Sequence, residues 1–428
     1  MHAVKERLKK NDIAHVLLRP SFSFLMFSEF FSQIAFNMQH FVLIFLIYEL
    51  THSNTAVSGI ILSFTIPAIL FSLLAGVFVD RWNKKTVLFT TNFLRGVMLL
   101  PFLIPNAHPS IIYTLTFFIA IATQFFLPAE SSIIPLLVPK QKLVAANAIF
   151  SIGIYSTVLI GYILAGPLLL VMGRSVFLLL SVLFFISAFL ILGIRVPKRE
   201  EKHSAVSIQA VELSIGREIR EIFSYMRKVR NVMRALIILT MAQAIIFTFA
   251  VLGPGYLATI LKTRVESLSW LLLAPAALGM VTGALILGSN ARKLKHAPTI
   301  TVGFIVTGLI FIFLPFISSV SSKDFILAIN SILPSFLDVT GVHIIVFLAF
   351  IAGFSNALVF VPANATIQSQ TPESIRGRIY GFLNAMTGSV SLLPVALAGG
   401  LADIFGVSQV ITSIGIAMII LAVFEYIF

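Results

Sequence analysis

The sequence predicts an all-α membrane protein with twelve transmembrane helices in two pseudo-symmetric bundles of six. Three observations predict it. The 428-residue chain is 58% hydrophobic and only 11% charged, with a mean hydropathy of +1.02, whereas a soluble domain is roughly 25% charged. No soluble core could bury so much apolar surface. The apolar residues fall into twelve runs, each close to the roughly 20 residues needed to cross a ~30 Å hydrocarbon layer. Finally, the second half of the chain repeats features of the first.

Taken in order, residues 1–21 form a basic N-terminal segment. Six runs follow, at 22–48, 56–79, 86–105, 111–128, 147–172 and 175–194, and make an N-terminal bundle over 22–194. The long hydrophilic stretch comes next, a linker at 195–232. Ten Lys and Arg residues lie between Arg195 and Arg234. Within it Glu218, Ile219, Ile222, Phe223 and Met226 recur at helical spacing among Arg217, Arg220, Arg227 and Lys228, which predicts an amphipathic helix on the inner leaflet. The runs at 233–260, 268–289, 299–318, 342–362, 380–401 and 408–427 make a C-terminal bundle over 233–428. In the long outer connection at 319–341, Phe325, Ile326, Ile332 and Leu333 are expected to skim the interface. The chain stops at Phe428, directly after the last run, which leaves a truncated C-terminus open.

A formal charge of +13 raises the question of a nucleic-acid partner, and the placement of the charges answers it. With the N-terminus inside, all but five of the 30 Lys and Arg residues fall on the cytoplasmic side. The exceptions are Arg174, Lys262, Arg264 and Lys323 in outer loops and Arg95 within a helix. This asymmetry is an orientation signal. It predicts a multi-pass protein of the cell (inner or plasma) membrane with both termini cytoplasmic and no nucleic-acid site. The first run is too long for a signal-peptide core and lacks a small-residue cleavage site, so it reads as a retained helix. No Cys is present, which excludes disulfides and thiolate metal sites.

The repeat is specific. A shift of 234 residues aligns Phe126 with Phe360, Pro128 with Pro362, Ala129 with Ala363, Ile133 with Ile367, Lys142 with Arg376 and Gly166 with Gly400. A shift of 208 pairs Lys84 and Lys85 with Arg292 and Lys293. Between the second and third runs stands Gly76-Val77-Phe78-Val79-Asp80-Arg81-Trp82-Asn83-Lys84-Lys85. This resembles the loop signature G-x-x-x-D-R-x-G-R-K of the major facilitator superfamily of secondary transporters. The chain departs at Asn83, where the family has Gly; Asn readily accepts a left-handed turn, which is the conformation expected here. Phe126-Leu127-Pro128-Ala129, the segment Ile133-Ile134-Pro135-Leu136-Leu137-Val138-Pro139, then Ala146-Asn147 and the Arg376-Gly377-Arg378, Gly381 group are similar to bacterial drug:proton antiporters of the macrolide-efflux and enterobactin-exporter type. Their fifth-helix pattern is matched at Gly161, Ala165 and Gly166, with Tyr162 in place of Pro.

Charges inside the membrane carry the mechanistic information, because each costs ~2.5 to 3.5 kcal/mol at mid-bilayer on insertion scales. Glu29, Gln33, Phe36, Asn37 and His40 fall on one face of the first helix, a face expected to line a central cavity. Glu29 is the proton-carrying candidate, since a carboxylate can exchange a proton where an amide cannot; pairing with a basic residue at the inner interface is the structural alternative. Arg95 lies at similar depth and needs an anion or several carbonyls, with Glu29 as the candidate anion and a structural tie as the favoured role. His40 has no carboxylate at helical spacing, so hydrogen bonding is favoured over a metal. Gln124, Gln243, Asn356 and Asn384, with Thr387, are neutral polar candidates for the cavity or for interhelical bonds. For the cytoplasmic gate the resemblance implies Gly76, Asp80, Arg81, Lys84, Lys85, Arg376 and Arg378, with Asp80 set against the start of the eleventh helix; Arg81 then needs an acid, and Glu130 at the inner end of the fourth helix is the available carboxylate, a purely topogenic charge cluster being the alternative.

The expected function is proton-coupled efflux of small hydrophobic or amphiphilic compounds by alternating access of the two bundles, the 40 Phe residues supplying apolar wall. A lipid, lysolipid or siderophore translocator and a nutrient uptake carrier are the alternatives. The chain has no HExxH, GxSxG or Walker-type loop, and enzyme activity, a cofactor and a bound metal are not expected. The expected partners are a small-molecule substrate, protons and the bilayer, with a monomer as the working unit.

Overall fold

The computed structural model describes residues 16–105, 108–196, 224–289, 296–317 and 340–427. Among them twelve long α-helices follow one another with no strand, one for each apolar run. They are α1 Pro20–Thr51, α2 Asn54–Arg81, α3 Lys84–Leu99, α4 Pro109–Leu137, α5 Leu143–Met172 and α6 Val176–Leu192, then α7 Arg230–Tyr256, α8 Ala274–Ser289, α9 His296–Phe313, α10 Gly341–Gln370, α11 Glu373–Phe405 and α12 Val407–Ile427. Ten stretches are long and apolar enough to cross a membrane, with α5 and α6 counted as one and α12 a shorter apolar helix. Helices suit this composition because a helix satisfies its backbone hydrogen bonds within itself, which hydrocarbon demands.

Local signals set the ends. His108 caps α4 by accepting a bond from Ser110 N, with Pro109 at the first helical position. Gly173 (φ +54°) closes α5 and Gly406 (φ +93°) separates α11 from α12. The structure corrects the expectation for Asn83, which is extended (φ −66°, ψ 112°) and caps α3, its Oδ1 accepting from Thr86 N at 3.3 Å. Asn replaces Gly there through its side-chain acceptor, the preferred use of Asn at a helix start, and needs no positive φ. Several helices also overrun their apolar runs. α4 continues through Pro128 and Pro135, and α10 through Pro362; an apolar run marks the hydrocarbon boundary, whereas the helix ends only where its hydrogen bonding does. α3 is shorter than its run and tightens into a 3-10 turn at Leu100–Leu103.

The described residues fall into two compact units, one drawn from Met1–Leu50 and Ser63–Ser204, the other from Thr51–Leu62 and Ala205–Phe428. The first turns of α2 therefore group with the second unit. In the first unit α3 packs on α6 and α4, and Phe22, Leu25, Val79, Leu88, Phe126, Ile133 and Ile191 form a closed apolar core at one end. α5 meets α1 at Gly161, where an added Cβ would lie 2.7 Å from Asn37 Cβ. In the second unit α8 and α10 touch backbone to backbone: a Cβ on Gly353 would fall 1.8 Å from the Ala276 carbonyl oxygen. Small residues that allow such approach are how helices associate where no hydrophobic force drives them together.

Arg292, Lys293 and the apolar residues of the 319–341 connection, from Phe325 to Leu333, lie outside the described residues, as does most of the linker. Its last turn, 224–228, is helical, with Met226 buried and the Tyr225 hydroxyl donating to the Gln370 carbonyl.

Candidate functional site

The site is built on the polar face of α1. Glu29 to His40 spans eleven residues, ~16 Å along the helix. Glu29 is 2% exposed, and no hydrogen bond reaches either carboxylate oxygen. Gln33, one turn on, is the neighbouring polar side chain, and Arg95 is the neighbouring cation. Asn37 is buried against α5, its Nδ2 donating to the Gln33 carbonyl at 2.7 Å. The His40 ring stands 4.0 Å from the Phe64 ring and 4.4 Å from that of Phe36, and its Nδ1 lies 2.7 Å from the Phe36 carbonyl. Beside it Phe41 meets Tyr162 edge to face at 4.4 Å. The upper part of this face is thus a half-buried aromatic patch, with a carboxylate at its lower end.

Arg95 is 1% exposed, and no hydrogen bond joins it to Glu29, the candidate anion. Its Nη2 donates to Asn92 Oδ1 and, at 3.3 Å, to Ser32 Oγ. Two rings flank the guanidinium, Phe126 at 4.4 Å and Phe184 at 4.7 Å, a cation–π setting. Its Nε has no hydrogen-bond partner. Asn92 is the junction of the cluster. Its Oδ1 also accepts from Ser32 Oγ at 3.0 Å and its Nδ2 donates to Ser187 Oγ at 2.7 Å, while the Ser28 and Ser187 hydroxyls lie 2.8 Å apart. Three helices, α1, α3 and α6, are joined by this network inside the first unit. Neutral dipoles and aromatic faces hold the cation, and the buried carboxylate nearby stays unbonded.

At the α2–α3 turn, Arg81 is exposed and Lys84 and Lys85 are half-buried; Asp80 on α2 and Arg376 on α11 have side chains outside those described. Lys85 Nζ donates to the carbonyls of Leu192 and Ile194 at 2.7 and 2.8 Å. It caps the C-terminal end of α6, where a cation complements the helix dipole. Glu130 is buried on α4, with no hydrogen bond to its Oε1. Gly76 has open space around it, and Arg378 is half-buried at the start of α11. Of the neutral candidates, Gln124 donates to the Ala120 carbonyl at 3.5 Å, Gln243 and Asn356 are half-buried, the Asn356 Oδ1 has no partner, and Asn384 is exposed.

Sequence reasoning missed two features. Gln39, fully buried, has neither amide atom hydrogen-bonded. Asp403 on α11 accepts from Ser53 Oγ at 2.7 Å, from Asn54 N and Nδ2 at 2.9 Å, and from Thr55 N and Oγ1 at 2.9 and 2.7 Å. It caps the start of α2 within the second unit, next to Gly399 and Gly255, where an added Cβ would strike Asn54.

A model of the Major Facilitator Superfamily matches residues 25–342. The chain is 24% identical over 382 residues to YfiS, an uncharacterized MFS-type transporter of Bacillus subtilis (strain 168), covering 87% of this chain and 84% of that protein. To YkuC of the same organism, also an uncharacterized MFS-type transporter, it is 23% identical over 389 residues, covering 86% and 82%. Among solved structures it is similar to the nucleoside transporter NupG, at TM-score 0.72 and 12% identity over 95% of this chain and 98% of that one. A bacterial homolog of the human lysosomal transporter Spinster gives 0.67 and 13% identity, covering 97% and 96%. These structural likenesses speak to the fold alone.

Proposed function

The chain belongs to the major facilitator superfamily, and from that premise we propose that it is a proton-coupled exporter of small hydrophobic or amphiphilic compounds. A multi-pass transporter of this fold takes a small molecule through the bilayer; the proton, the direction and the substrate class are the proposal. The observation that carries it is Glu29, a carboxylate buried in a membrane helix with no hydrogen bond to either oxygen. Such a group is costly and its persistence points to use. A carboxylate at that depth can take up a proton from one side of the membrane and release it to the other as access to the site alternates. The half-buried rings of Phe36, His40, Phe41, Phe64 and Tyr162 above it suit an apolar or aromatic ligand better than a sugar phosphate.

Proteoliposome transport of a panel of amphiphilic drugs, siderophores, lysolipids and polar nutrients, with and without a pH gradient, tests the reading. Wild-type protein should accumulate an amphiphile only when the gradient is imposed. Glu29→Gln keeps the shape and removes the titration, so it should abolish gradient-driven accumulation while leaving substrate binding intact. A Glu29→Gln protein that pumps uphill at the wild-type rate removes the proton from this residue.

A further inference from the structure

At one end of the first unit a cavity of about 470 Å³ opens between the start of α1, the end of α4 and the residue after α6 that carries Arg195. Arg19, Ser21 and Arg195 line it together with Leu137, Val138 and Pro139. Two like charges face one cavity with no acidic residue in its wall, and among the described residues no hydrogen bond or ion pair reaches either guanidinium. The Nε of Arg19 is closed off from solvent and has no hydrogen-bond partner. A donor so placed is costly unless a ligand supplies the acceptor. Ser21 fixes the arrangement, accepting from Arg195 N at 3.1 Å and donating back to the Arg195 carbonyl at 3.4 Å. The N-terminal end of α1, at Pro20, adds the positive pole of a 32-residue helix.

The surroundings identify the kind of anion. Along the same edge α1 and α6 leave Phe24, Phe27, Phe189 and Leu192 exposed, and the Phe24 ring packs against Gly193, two residues before Arg195. On spanning helices such side chains meet acyl chains. Next to the cavity there is therefore a polar, doubly cationic mouth followed by an apolar track, which matches an amphiphile with an anionic phosphate head. We propose that this cavity binds the headgroup phosphate of an anionic phospholipid, with its acyl chains on the α1–α6 edge. Arg19 Nε and the Arg195 guanidinium are the phosphate donors, and the lipid ties the ends of α1 and α6 to that of α4.

Native mass spectrometry of the full chain released from detergent, with dihexanoyl phosphatidylglycerol, dihexanoyl phosphatidylcholine or inorganic phosphate at equal concentration, tests it. The wild type should retain one phosphatidylglycerol in preference to phosphatidylcholine. Arg19→Gln/Arg195→Gln should lower that retention roughly tenfold, as loss of charge-assisted bonds to phosphate does, while Arg227→Gln/Lys228→Gln, a basic pair outside the cavity, should retain it. Arg195→Gln alone changes an exposed side chain and carries the same comparison if the double variant folds poorly. Equal retention by the wild type and the cavity variants overturns the site. Inorganic phosphate that displaces phosphatidylglycerol at equal concentration overturns the lipid assignment and leaves a simple anion site.

Discussion

Replacing Asp403 should loosen the start of α2 by an amount that can be worked from its bonds. The carboxylate accepts five hydrogen bonds from three consecutive residues, two of them from the backbone N–H groups of Asn54 and Thr55. Those donors are among the ones a helix start leaves unsatisfied. Asp403→Asn keeps the volume but turns one oxygen into a donor; if that is Oδ2, the Ser53 and Thr55 groups lose their acceptor. Removal of a cap costs about 0.5 to 2 kcal/mol. Asp403 is exposed and water replaces part of what is lost, so we expect about 1 to 2 kcal/mol, a roughly 5- to 30-fold shift in a local opening equilibrium. Hydrogen exchange reads this directly: protection of the amides at 54–58 should fall by that factor, with the interior of α12 unchanged. Ser53→Ala, which removes one donor and leaves the cap, should cost less. Unchanged exchange at 54–58 in Asp403→Asn would refute the assignment of the carboxylate as the cap of α2.

Two further outcomes concern the first unit. If Arg81 bridges to Glu130 during the cycle, Arg81→Ala and Glu130→Ala should each slow transport without loss of expression, and the double variant should cost much less than the two together; additive losses would show that they do not communicate. Asn92→Ala withdraws the acceptor that fixes Arg95 and should let the guanidinium turn to Glu29, slowing gradient-driven transport severalfold while facilitated counterflow persists. Asn92→Asp, which restores the acceptor, should hold Arg95 in place, and an Asn92→Ala protein with wild-type gradient dependence would refute the positioning role.

The twelve helices were legible because each apolar run must satisfy its backbone in hydrocarbon, and one solution meets that demand. Helix ends were less so: Pro128 reads as a stop in water and is carried inside α4 in the structure. Asn83 was read as a turn former from its backbone tolerance, when its side-chain oxygen is what the chain uses. The polar face of α1 could be found from spacing alone, since Glu29, Gln33 and Asn37 lie on one element. Partners on other elements could not. The Asn92 that holds Arg95 looks like any helical Asn, although its i+3 spacing to Arg95 was available as a signal. Asp403 and Ser53 are 350 residues apart, and nothing local to either marks the other.

The arrangement around Arg95 separates two ways of placing an acid and a base in a membrane interior. Were Arg95 present to neutralise Glu29, a forked guanidinium–carboxylate pair would be expected, since that geometry best repays desolvation of both charges. The guanidinium is instead occupied by Asn92, Ser32 and two aromatic faces, groups that cannot change their charge. Its position is therefore insensitive to whether Glu29 carries a proton. A direct pair would tie the carboxylate to one charge state and would have to be broken in every cycle. A cation fixed by neutral dipoles acts on Glu29 only through the field, and that interaction weakens or strengthens as the dielectric around Glu29 changes with access to water. The same serines and asparagine that join the three helices thus keep the guanidinium from pairing with the carboxylate, which the proposed exchange at Glu29 requires.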